Sequence, residues 1–433
     1  MPFTGRRRRL PSGRVRYERS CRKKSLSWIK DSVTWLGLCR PPSRPVRIAG
    51  GPDQEPLMPA LVKTAVKTAE PAGVPRPCPA ALLPLALVLG GSDLAAGPAV
   101  AMPPLTDAPE RPFYFVVDLG DLADGSATSV PHAISEDNAV VGAAVDMTGA
   151  THAFYWKGGQ MRDLGVLRLM GEPIYSQAED INEAGQIVGT TYTDAGPAVA
   201  LWDKSGISLL PALEPDADPG QAHSINARGD ITGYVGRPDR KESVALWQGG
   251  RLVEIGLPGP QFDTAHGMVI NDAGQIAGQA ALHDEVRAFR YEAGVWTLLP
   301  GFSGGGYASL VNDMNRLGEI VGKGIGDSGT DRGFFWDGAV LHDIGDLPGG
   351  KDMSHAFGLN DRGEVVGYSA AGDGNAAVLW TRADRRLVDL NDCIDPDSGW
   401  HLVLAKDIND NGWITGYGIA PNGATHGFVL IPE

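Results

Sequence analysis

Nine residues constrain most of what this chain can fold into. "INDAGQIAG", Ile270–Gly278, recurs as "INEAGQIVG" from Ile181, "INARGDITG" from Ile225, "MNRLGEIVG" from Met314, "LNDRGEVVG" from Leu359 and "INDNGWITG" from Ile408. A looser copy, "ISEDNAVVG", starts at Ile134. Successive copies begin 47, 44, 45, 44, 45 and 49 residues apart. A period near 45 is the mark of a repeat architecture, in which each unit buries its apolar face against its neighbours.

Each period carries two further marks. One is a strand ending in an aromatic or large apolar residue: Trp156, Trp202, Trp247, Tyr291, Trp336, Trp380 and Leu430. The other is a short acid-or-Leu step such as "DLG" at Asp163, "LLP" at Leu209 or "DIG" at Asp343. Within the nine residues, Asn271 can close an Asx-turn and Gly274 can adopt the left-handed conformation of a hairpin loop. Gly278 shares a strand face with Ile276, and a glycine there lets a neighbouring sheet approach closely. The reading is an inner strand, a hairpin, a second strand, an aromatic strand and an outer strand. Four short strands per period make one propeller blade.

The seven aromatic strands are followed by only six outer strands. The seventh outer strand stands before the first repeat, "FYFVVDLG" at Phe113–Gly120. It is expected to complete the blade ending in "HGFVLIPE" (His426–Glu433), burying Phe115, Val117 and Phe428 or their neighbours. The fold class expected is therefore all-β, a seven-bladed β-propeller over 113–433 closed by strand 113–120. A parallel β-solenoid is the alternative. The 58 Gly and 32 Pro fit a chain of many turns.

Charge divides the chain. Residues 1–57 hold 14 Lys/Arg against 4 Asp/Glu, whereas 102–433 hold 21 against 46. A folded part with that acid excess repels phosphate backbones, which excludes nucleic acid as its partner. Residues 1–57 read as a basic disordered extension, or as sequence upstream of a true start at Met58. From Met58, Lys63, Lys67 and Arg76 precede an apolar stretch, Ala80–Gly91, and the small-residue site Ala99–Ala101. Segment 58–101 thus resembles a secretory signal, too short and too broken by Pro84 to span a bilayer. A mature chain starting near Met102, a linker over 102–112 and a secreted or periplasmic location are expected. Of the four Cys only Cys393 lies in that mature part, read as a small buried hydrophobe.

"THAFYWKGGQMRDLG" (Thr151–Gly165) followed by "AEDINEAGQIVG" (Ala178–Gly189) closely resembles the HAF-repeat family of probable extracellular bacterial proteins. The resemblance covers about 113–433 and implies export and a propeller-like repeat, with no settled activity. Because His-Ala-Phe becomes Ala-Val-Ala-Leu-Trp or Arg-Ala-Phe in other copies, a repeated catalytic role for that His is not expected.

No HExxH, P-loop or paired Cys/His motif is present. His132, His223, His266 and His355 lie two to four residues before the Ile or Leu of their inner strands, and His401 belongs to the last such loop. A metal-binding ring at a channel mouth is one reading. Unequal offsets favour the other, in which these His bond to neighbouring loops and no metal or other cofactor is bound. "DINDNG" (Asp407–Gly412) opens like a calcium loop but has Gly418 where the last ligand belongs, so a hairpin turn is expected. The hairpins are nearly identical, whereas the loops of the opposite rim are long and varied, and varied loops on a rigid scaffold are where binding resides. The candidate binding residues are Tyr175, His223, Phe262, His266, Tyr307, His355, Trp400 and His401, the aromatics taken as exposed in their loops. The expected function is a monomeric, secreted, non-catalytic binding or scaffold protein offering that rim to a glycan or extracellular protein. The alternative is a propeller enzyme, a polysaccharide lyase or hydrolase, with its site at the channel mouth.

Overall fold

A computed structural model of the chain describes residues 112–433 apart from 124–127, 168–174, 194–195, 214–217, 238, 240, 284 and 373. The expected extension at 1–57, the signal-like segment at 58–101 and nearly all of the linker at 102–112 lie outside the described residues. The described part is all-β, with two short 3-10 turns at Leu390–Cys393 and Pro396–Ser398. Among the described residues no helix is long and apolar enough to cross a membrane.

Each repeat forms a four-strand unit. Unit one runs Ser129–Ile134, Val140–Val145, Thr151–Lys157 and Gln160–Asp163, each strand antiparallel to the next. The inner strands of units two to six are Ser176–Ile181, Gln221–Ile225, Thr264–Ile270, Tyr307–Met314 and Ser354–Leu359. Unit seven comprises His401–Ile408, Ile414–Ile419 and Thr425–Pro432, and its outermost strand is Tyr114–Asp118. That strand runs antiparallel to Thr425–Pro432, with Tyr114 opposite Pro432 and Asp118 opposite Phe428. Units three and four are joined by a single parallel pair, Glu242 with Thr264, and the others are separate sheets.

The repeated residues explain themselves in the register. Every inner strand is bulged two residues before its closing Ile, Met or Leu, at His132, Glu179, His223, Met268, Asn312, Phe357 and Lys406. A bulge adds twist and pushes backbone out of the ladder. The second glycine of the motif receives it. At Gly142, Gly189, Gly233, Gly278, Gly322, Gly367 and Gly416 an added Cβ would lie 1.9–2.2 Å from an inner-strand carbonyl oxygen. The close approach expected of a neighbouring sheet is made instead by the bulged strand of the same sheet. The first glycine holds the hairpin: Gly274 has φ +82°, and the looser copy places Asn138 there at φ +64°. Asn271 Oδ1 accepts from the Gln275 N–H at 3.1 Å, the Asx-type closure its position predicts.

The core lies between adjacent sheets. Trp202 of unit two packs on Ala133, Val141 and Ala153 of unit one, and Trp247, Trp336 and Trp380 fill the later interfaces. Burying one indole removes about 200 Å² from water, roughly 5 kcal/mol before entropy is counted. Ile134, Phe154 and Trp156 of unit one share a cluster with Val429 of unit seven and with Leu119. In the strand 114–118, Tyr114 is buried and Phe428 opposes Asp118 within the core, but Phe115 is 54% exposed. Alternation puts Tyr114, not Phe115, on the inner face.

Candidate functional site

The seven bulges bring a set of side chains together along the line where the inner strands meet. At the end of each inner strand the closing residue turns a backbone N–H out of its own ladder. Ile181 and Ile225 both donate to Asp180, at 2.7 and 2.8 Å. Met314 and Leu359 both donate to Asp313, at 2.7 and 2.8 Å. Ile408 and Ile134 both donate to Asp407, at 2.8 and 2.9 Å. Ile270 donates to Ser224 Oγ at 3.3 Å. All seven N–H groups are capped, and each carboxylate ties two successive inner strands, the pair from units seven and one included.

These half-buried carboxyls are poorly solvated, and burial raises all three. Asp180 moves to about 6 and Asp407 to about 7, while Asp313 is held well above the usual range by burial and by Asp407. The bulge residues form the next layer. His132 Nδ1 donates to the Ala178 carbonyl at 2.7 Å with Glu179 at 3.6 Å. Asn312 donates both to the Ala356 carbonyl at 2.6 Å and to His355 Nε2 at 2.7 Å. The Lys406 ammonium sits 4.7 Å from the Phe357 ring centre. Burial lowers Lys406, His132 and His355, and takes His223 down to about 3. At neutral pH these imidazoles are neutral; His132 and His355 hydrogen-bond as described, whereas the buried Nε2 of His223 has no hydrogen-bond partner among the described residues.

On the hairpin rim the turns surround a cavity of about 220 Å³ with Asp180 and Asp313 in its wall. Glu136, Glu183, Asp272, Arg316, Asp361 and Asp410 stand around it. The single guanidinium, Arg316, pairs with Asp361 and with Asp410, the latter at 3.0 Å. The near-identical turns are expected to carry structure only, yet the cavity sits on their rim and not on that of the varied loops.

The candidate residues on the loop side are partly brought together. His223 lies 5.9 Å from the Tyr234 ring, and Tyr234 stacks on His266 at 4.1 Å. His266 Nε2 meets Glu242 at 2.7 Å. His355 packs on Phe357 and Tyr368 and is 3% exposed. Tyr175 is half-buried, edge-on to Tyr192 and bonded to Gln177. Tyr307 lies under the Arg287 guanidinium, and Trp400 packs edge-on against Phe428. His401 is exposed. Phe262 is not an exposed loop aromatic: it is 2% exposed and fills the core beside Val244, Ala265 and Phe289.

The hairpin expected at Asp407–Gly412 meets direct geometry. In the Asp407–Gly412 turn, Asp407 caps two N–H groups and Asn409 Oδ1 accepts from Asn411 and Trp413, as a hairpin requires. Among the described residues no group of three or more His, Cys, Asp or Glu is arranged to hold a metal ion. The His of His-Ala-Phe has a structural partner. His152 Nδ1 meets Asp163 at 2.8 Å and His426 Nδ1 meets Asp118 at 3.0 Å, joining third and outer strands. Cys393 is buried, as its reading as a small hydrophobe requires.

No family model and no curated protein matches the chain. Solved structures similar to it include TolB from Acinetobacter baumannii, at 10% identity over 57% of this chain and 62% of that one, with a TM-score of 0.41. A Mycobacterium tuberculosis puromycin-hydrolyzing peptidase matches at 14% identity over 73% of this chain and 55% of its own length, TM-score 0.47. YCF48 bound to D1 peptide matches at 13% identity over 75% and 98% of the two chains, TM-score 0.43. The chain thus spans less than two thirds of the first two.

Proposed function

We propose that the chain is a closed seven-bladed β-propeller of the HAF-repeat kind, exported and acting as a non-catalytic binding protein. Its varied loop rim meets a glycan or an extracellular protein. The observation that carries the non-catalytic reading is the commitment of the axial groups. Asp180, Asp313 and Asp407 each accept two backbone N–H bonds, and His132, His266 and His355 hold protein partners. A general acid–base pair needs carboxyls or imidazoles free to reach a substrate proton, and these are spent on the scaffold. Closure is supported by the bonds from unit seven to unit one and by the strand 114–118 beside 425–432.

The second reading, a polysaccharide lyase or hydrolase, is separated by one assay. A panel of glycans, polymers and peptides is tested for binding and for product release. Binding without turnover is expected, and turnover that disappears in His223→Ala or His355→Ala would overturn the proposal. Export is checked by the N-terminus of protein recovered outside the cytoplasm, expected near Met102. Size-exclusion chromatography with light scattering is expected to give a monomer.

A further inference from the structure

Three sets of bonds cross between consecutive units on the hairpin rim, and one junction lacks all three. In the first set the motif Asn donates to the next unit's carbonyl. Asn182 donates to Asn226, Asn226 to Asn271, Asn271 to Asn315, Asn315 to Asn360, Asn360 to Asn409 and Asn409 to Ser135, at 2.9–3.2 Å. Unit one has Ser135 in place of Asn, and its hydroxyl turns back to Asp137 and Ala139. In the second set an acid or Ser caps the next unit's N–H. Four junctions have it; units one, four and six have Ala133, Val269 and Gly358 there, and Ile181 relies on its own Asp180. In the third set a turn N–H donates to the next unit's carboxylate: Ala227 to Asp272, Arg316 to Asp361, Asp361 to Asp410 and Asp410 to Glu136. From unit one to unit two the corresponding residues are Glu136 and Glu183, two like charges, and no such bond is present among the described residues. The junction of units seven and one, where distant parts of the chain meet, has all three sets.

Across the junction of units one and two, the bulge residue takes over. His132 donates to the Ala178 carbonyl and faces Glu179. On the loop side the same units stay tied by the Ala153 N–H to Ser176 Oγ at 2.9 Å and by the Thr151–Tyr175 bridge. Beside the apolar contact of Trp202 with Ala133, Val141 and Ala153, the loop side of this junction is fastened by hydrogen bonds and the hairpin side by a single imidazole.

We propose that the ring opens at the junction of units one and two, hinged on its loop side, with His132 as the latch. Ser135, Glu136, Asn182 and Glu183 line the hairpin-rim cavity at this junction, so each opening widens that cavity. The proposal rests on the closed-ring reading and states where that ring is weakest.

Native-state hydrogen exchange on the full chain tests it. Amides of 129–134 and 176–181 are expected to exchange faster than those of the other five inner strands. Ala133→Asp with Ser135→Asn supplies two of the missing bonds and should slow exchange there about fivefold per bond, with no effect at other junctions. His132→Ala should speed it, and His132→Gln, which keeps an N–H to offer, should restore much of the loss. Even exchange over all seven inner strands would overturn the latch and leave the closed ring standing. Fastest exchange in 114–118 and 425–432 would overturn both.

Discussion

Removing one axial carboxylate uncaps two strands at once. Asp313→Ala leaves the N–H groups of Met314 and Leu359 without their acceptor. An unsatisfied buried donor costs about 1–3 kcal/mol, so a loss of about 2–6 kcal/mol in urea unfolding is expected, with Asp313→Asn between wild type and Asp313→Ala. The pH dependence follows from the same groups. A carboxyl raised on folding adds stability that is complete below its unfolded value and lost as pH rises through the folded one. Asp407, raised from an ordinary 3.8 to about 7, therefore withdraws its contribution between about pH 4 and 8, the last part of it above pH 6, facing Lys406, Asp180 and Asp313 as it does so. His223, lowered to about 3 by burial with His266 and Lys406 nearby, acts oppositely: its contribution holds above its ordinary value and fades as pH falls. Wild-type melting temperature should fall from pH 6 to 8, and Asp407→Asn should flatten that fall. A rising wild-type profile would contradict the assignment. Little of this was legible in the sequence. The seven positions before the closing residue read Ala133, Asp180, Ser224, Val269, Asp313, Gly358 and Asp407, and no local pattern says that one Asp serves two strands.

The strand units were more legible because period, hairpin chemistry and aromatic spacing all specify local structure. The bulge was not, because its residue varies from His132 to Lys406 and only the carbonyl behind it is constant. Its signature was the glycine facing it, which the sequence reading assigned to a neighbouring sheet. The two glycines of one motif should therefore respond differently. In Gly278→Ala the new Cβ would meet the His266 carbonyl at 2.0 Å and the Phe289 ring at 2.9 Å. A loss of about 3 kcal/mol is expected, since backbone must shift. In Gly274→Ala the strain is the left-handed backbone, about 1–2 kcal/mol, with only the flexible Arg228 end nearby. Guanidinium unfolding of the two variants checks the order. His152 and Asp163 form a pair that a reading across repeats could have found. Where Ala198 replaces that His, Leu209 replaces the acid, and Ser243 keeps Glu254 and Arg332 faces Asp343, although Ala376 keeps Asp389 and Arg287 has Leu298.

At the scale of the molecule, the strand 114–118 carries the account. Tyr114 and Val116 pack with Phe428 and Leu430 in one core, and Val117 reaches the next. Deleting 113–120 should expose the edge of 425–432 and promote aggregation, as unpaired edges do. Deleting eight residues from 1–57 should leave melting unchanged. Phe115 and Ile431 are opposed in register, with Phe115 exposed and Ile431 half-buried, so both can be replaced without emptying the core. Antiparallel partners of this kind stand about 5.5 Å apart at Cα, within reach of a disulfide. The closed ring predicts that Phe115→Cys with Ile431→Cys, oxidised at low concentration and mapped by mass spectrometry, yields an intramolecular 115–431 disulfide and a higher melting temperature than its reduced form. Dimers cross-linked through 115 or 431, or both introduced thiols left free after oxidation, would contradict it.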